Sequence, residues 1–110
     1  AGAAGLAGLM GHKSSGVRRR AMAALEAMGE DGAEALAEKL ADEDAGIRWR
    51  SAEALGHMGE AARWTIPRLE KLKADENNWV RVSAKRALEK LSRTSEDNPE
   101  AKTAEEGLGA

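Results

Sequence analysis

Few residues in this chain are equipped for chemistry. They are two histidines (His12 and His57), carboxylates clustered at Asp42-Glu43-Asp44 and Asp75-Glu76, the run Arg18-Arg19-Arg20, and three tryptophans. A zinc site would need imidazoles or thiolates at ligand spacing. The sequence has no His-x-x-x-His pair and no cysteine. The acidic clusters lack the glycine-bearing loop pattern of a calcium site and read as turn caps. No Ser–His–Asp order, phosphate loop or nucleotide fingerprint is present. No catalytic residue, metal or cofactor is therefore expected. Without cysteine, the redox state of the compartment is left undecided.

What remains is binding chemistry. Arg18, Arg48 and Arg81 recur at the starts of successive helices. They form either a basic ladder for phosphate or an acid-rich partner, or a structural ladder bonded to acidic turn residues such as Asp42 and Asp44. Trp49, Trp64 and Trp79 are the only aromatics. Trp49 lies off the apolar face of its helix, where the preceding unit has Arg19. A large aromatic on a surface favours a partner contact. Trp79 is read as packing between neighbouring units, and Trp64 fits either role. Arg50 and Arg63 flank these rings and can add cation–π contacts. Gly2, Gly5 and Gly8 form a third-residue stripe that admits another backbone closely. The expectation is that this weak helix forms only with something packed on it.

The elements that position these residues follow from an internal repeat. Residues 1–30 laid over 31–60 coincide at twelve positions, among them Gly2/Gly32, Leu6/Leu36, Arg18/Arg48, Arg20/Arg50, Leu25/Leu55 and Gly29/Gly59. A third unit at a period of 33 sets Val80-Arg81 on Ile47-Arg48 and Ala87-Leu88 on Ala54-Leu55. Within each unit Val17, Ala21, Ala24, Leu25 and Met28, or their equivalents, share one helical face. Gly29 and Gly59 follow as left-handed stops. A shorter second helix carries Leu36 and Leu40, then Ile66, Leu69 and Leu72. Ser14, Asp44 and Asn77 sit where helix caps belong. With 42% hydrophobic residues, half of them alanine, and no Phe or Tyr, the chain suits thin, closely packed helical layers. No alternating β-branched run suggests a strand.

Asp42-Glu43-Asp44-Ala45-Gly46-Ile47-Arg48 followed by Ala54-Leu55-Gly56-His57-Met58-Gly59 resembles the HEAT repeat, in the short form of phycobilin lyases and related bacterial proteins. Thr65-Ile66-Pro67 is similar to that family's proline at the start of a second helix. The resemblance covers residues 1–92. It implies an all-α superhelical solenoid of five to six helices, with units at 1–16 (partial), 17–46, 47–79 and 80–92 (partial). Residues 93–110 form a polar tail, with a short helix over 99–106. The resemblance also favours the structural reading of the Arg ladder. The array opens on a second helix and stops after a first one, so a partner is expected to supply its caps. A first residue other than Met reads as a processed or truncated chain.

The function that fits is a non-catalytic interaction or scaffold module, an accessory or linker subunit of a larger complex such as an organelle or photosynthetic one. Its partners would be other protein subunits. No apolar run is long enough to span a membrane, and peripheral attachment to a membrane complex stays open, as does a cytoplasmic or organelle-interior location. One alternative is a fragment of a phycobilin-lyase-like protein. Another is a nucleic-acid binder similar to HEAT-like DNA glycosylases, against which 17 basic residues, 19 acidic residues and a net charge of −2 argue.

Overall fold

In a computed structural model, the structure describes residues 2–96, with side chains through residue 93. The described residues form six α-helices: α1 (Ala3–Gly8), α2 (Ser15–Ala27), α3 (Glu30–Lys39), α4 (Ala45–Gly56), α5 (Ile66–Lys71) and α6 (Asn78–Glu96). Short 3₁₀ segments follow α1 at Leu9–Gly11, precede α5 at Gly59–Thr65 and follow it at Leu72–Ala74. No strand occurs among the described residues. The helices form an α-α superhelix two layers deep. First helices α2, α4 and α6 make one layer; α1, α3 and α5 with its 3₁₀ flanks make the other. The expected helix over 99–106 lies outside the described residues, and α6 runs through Ser92 past the boundary drawn there.

The core follows the repeat. Leu25, Leu36, Leu55, Leu69, Val80 and Leu91 are fully buried, joined by Ala21, Ala33, Ala54 and Ala87. Gly29 and Gly59 take φ of 59° and 61°, so α2 and α4 stop where expected. The ψ of −125° at Gly29 lies outside the left-handed helical basin, in a region open to glycine but costly for a residue with a Cβ. The second helix of the longer unit is not one continuous α-helix. Its three extra residues are absorbed as a 3₁₀ run, closed by a hydrogen bond from Thr65 Oγ1 to the Ala62 carbonyl (2.6 Å), and Pro67 sits in the first turn of α5.

Layer spacing is uneven. At Gly56 the α4 and α6 backbones nearly touch: a Cβ there would lie 2.9 Å from Ala87 Cα. Helices α2 and α4 stand further apart, and the Leu9–Gly11 segment wedges beside them, with Gly11 pressed against the Ile47 side chain. Helix α1 packs on α2 and α3, burying Ala7. Its Gly2, Gly5 and Gly8 face outward. Its apolar side is thus covered by this chain itself, and the glycine stripe is left on the outer side.

One buried hydroxyl breaks the pattern. Ser51 Oγ is buried without a hydrogen-bonding partner among the described residues, at a position where the other units carry buried Ala21 and Ala84. Removing an unsatisfied buried polar group recovers its desolvation cost, so Ser51→Ala should stabilise the chain by about 1 kcal/mol. The check is a rise in the urea midpoint at unchanged slope.

Candidate functional site

The loops that begin each first helix are built by one device used three times. The side chain at position 12, 42 or 75 accepts from the backbone N–H two residues on: His12 Nδ1 from Ser14 (3.0 Å), Asp42 Oδ1 from Asp44 (2.9 Å) and Asp75 Oδ1 from Asn77 (2.8 Å). That second residue then caps the helix, with Ser14, Asp44 and Asn77 accepting from the N–H of Val17, Ile47 and Val80. Finally the helix's Arg reaches back six residues. Arg18, Arg48 and Arg81 donate through Nη1 to the carbonyls of His12, Asp42 and Asp75.

This geometry corrects the expected ladder. The guanidiniums bind backbone carbonyls of their own loops, while the carboxylates of Asp42 and Asp44 are occupied as turn and cap acceptors. Each guanidinium lies where it closes the carbonyl of its own loop, and the Asp42 and Asp44 carboxylates turn toward backbone N–H groups. Among the described residues, one arginine–carboxylate pair joins two successive loops, at a residue outside the expected set. Arg48 Nε and Nη2 donate to Asp75 Oδ2 and Oδ1 at 3.0 and 3.1 Å, with both side chains largely buried. Burial alone would raise the Asp75 carboxyl. The Arg48 hydrogen bonds, the Asn77 N–H and the charges of Arg48 and Arg81 outweigh that and hold it below the usual value. Asp75 was legible as a turn acid; its reach to Arg48 at the preceding loop was not.

The first-helix layer carries the aromatic feature. Trp79, expected to pack between units, is instead 61% exposed. It occupies the position of Gly46 in the third unit, at the first turn of α6, which points away from the core. Its ring lies against Trp49 of α4, with centroids 6.2 Å apart and planes tilted by 36°. Trp49 is half-buried, and Arg50 covers its ring at 4.8 Å. Beside this pair, between α2 and α4, runs a groove of about 230 Å³ whose walls include Arg18, Arg19, Met22, Trp49, Arg50 and Glu53. Burial and the neighbouring Arg18 charge lower the pKa of the Arg50 guanidinium, while Asp44 and Glu53 work the other way.

The structure thus gathers Trp49, Arg19 and Arg50 into one place and adds Trp79, Arg18 and Met22. It does not bring Trp64, Arg63 or the glycines there. Trp64, 46% exposed, lies in the second-helix layer under Arg68 (5.2 Å) and borders Glu30, Glu34 and Glu38 of α3. Arg63 pairs with Glu60 at 3.6 Å. Gly2 borders Met28, Asp31 and Glu34, again beside α3, and Gly5 and Gly8 are exposed on α1. His12 belongs to the loop device, and His57 is exposed beside Lys90 at 3.5 Å. No cluster suited to a metal ion occurs among the described residues, and no helix there is long and apolar enough to cross a membrane.

Guanidiniums that stay charged at neutral pH, set beside indole rings, can bind anions and apolar groups; they are poor proton carriers. Comparison with curated proteins yields no match. The family model describing HEAT repeats matches residues 3–89, spanning the loop device, the stops at Gly29 and Gly59, and both layers. The chain belongs to the HEAT-repeat family.

Proposed function

We propose that this chain is a non-catalytic protein–protein interaction module, a small accessory subunit that meets a protein partner through its first-helix layer at Trp49 and Trp79. HEAT repeats are generally protein-interaction scaffolds. The observation that carries the reading is Trp79: a large indole 61% exposed, stacked on a second indole, at a point where the core gains nothing from it. Stacking and the Arg50 contact hold the rings in place, so little side-chain freedom is lost on binding. Trp64 on the other layer is a second, separate contact point.

The full chain, tagged and recovered from its source cells under native conditions, should retain a reproducible set of protein subunits. Trp79→Ala, combined with Trp49→Ala, should reduce that retention roughly tenfold or more. Circular dichroism and the unfolding midpoint of Trp79→Ala should stay close to wild type. Unchanged retention in the double variant would overturn the assignment of the interface to this layer.

A further inference from the structure

The groove between α2 and α4 has a composition that suggests what it holds. Two guanidiniums from different units, Arg18 and Arg50, line it together with Arg19. None of the three has a carboxylate within ion-pair distance among the described residues, although the chain's other arginines at unit starts are engaged more fully. Arg50 makes one long bond, 3.4 Å, to the Met10 carbonyl, and Arg18 uses a single nitrogen on the His12 carbonyl. Each keeps donors unspent. Like charges brought close in a partly desolvated groove repel, and an anion placed between them relieves that repulsion. Apolar surface lies beside the cations on each helix, Met22 on α2 and the Trp49 ring on α4, continuing onto exposed Trp79.

We infer that this groove receives an acidic peptide segment of a protein partner, an Asp or Glu carboxylate bridging Arg18 and Arg50 while a neighbouring apolar side chain lies on Met22 and the Trp49–Trp79 pair. The inference rests on the interaction-module reading and specifies its chemistry. Charge complementarity selects the occupant: the groove offers three cations against the single carboxylate of Glu53. The Arg fork suits a planar carboxylate, and the mixed apolar and cationic walls suit adjacent side chains of one peptide. Arg18 also closes its own loop, so Arg50 is the residue whose loss separates binding from folding.

The three tryptophans make the test direct, because each contributes one indole N–H signal. The ¹⁵N-labelled full chain is titrated to about 1 mM, a concentration that detects weak binding, with an amidated peptide bearing Glu-Asp between two leucines. The Gln-Asn counterpart and a short DNA duplex are titrated in parallel. The acidic peptide should shift the Trp49 and Trp79 indoles and leave Trp64 in place. Arg50→Gln should weaken that binding by roughly tenfold, while an Arg50→Lys variant keeps part of it. Equal response to the Gln-Asn peptide, no response to the acidic one, or shifts centred on Trp64 would each overturn the inference. A larger response to the duplex would reassign the groove to nucleic acid. If partner capture depends on Trp49 and Trp79 but these titrations fail, the carboxylate cradle is wrong and the interaction-module reading survives.

Discussion

Gly32→Ala is expected to cost about 3 kcal/mol or more, the largest effect of any single methyl added to this chain. A Cβ at Gly32 would lie 1.9 Å from the Leu25 carbonyl oxygen and 2.7 Å from its carbon. Both are backbone atoms at the end of α2, so no side chain can swing away. The α2–α3 crossing must open instead, and fully buried Leu25 and Leu36 lose contact with it. Gly8→Ala supplies the control. A Cβ there meets nothing within 4 Å, and the residue is exposed with helical φ of −61°. Replacing glycine by alanine in such a setting should stabilise by about 0.5–1 kcal/mol. Urea denaturation followed by Trp fluorescence measures both; comparable small losses at the two sites would mean the crossing is not as close as described.

Asp75→Ala is the second large loss, expected at about 2–3 kcal/mol. It strips Arg48 of the one carboxylate it pairs with among the described residues and the Asn77 N–H of its acceptor in one step. Asp42→Ala removes the equivalent turn bond but no bidentate pair, and should cost about 1 kcal/mol. The difference between the two isolates the link between successive loops. The pair also fixes a pH dependence. Because the folded-state pKa of Asp75 is lowered, its contribution is complete above the unfolded carboxyl value near 3.8 and is lost as pH falls through the lower folded value. The stability gap between wild type and Asp75→Asn should therefore hold through neutral and mildly acidic pH and close below about pH 4. A gap that instead widened with acid would contradict the assigned geometry.

The fold was largely legible because the repeat states it more than once. Ile47-Arg48 and Val80-Arg81 mark helix starts, Ala54-Leu55 and Ala87-Leu88 mark the buried face, and positive φ at Gly29 and Gly59 matches their role as stops. The insertion in the third unit was legible as a count, since 33 exceeds 30. Its form as 3₁₀ turns before Pro67 was not, because helix period says little about how extra residues wind. The site was legible only in part. Trp49, Arg19 and Arg50 lie off the buried face by their place on a helix, which spacing reveals. Trp79 was misplaced because its size suggested filling, although its alignment with Gly46 already set it on an outward first turn. The Arg ladder was harder to read: carboxylates are visible in sequence as partners for guanidiniums, as Asp75 is for Arg48, whereas the backbone carbonyls that accept from Arg18, Arg48 and Arg81 are present at every residue and so carry no signal.

The uneven spacing of the first-helix layer has a mechanical consequence. Where α4 meets α6 through Gly56 and Ala87, backbone lies on backbone, and any bending there compresses atoms that have nowhere to go. Between α2 and α4 the same bending only narrows or widens a groove. The superhelix is thus a spring with one compliant coil, and its elastic give is concentrated at the step that carries Trp49 and Arg50.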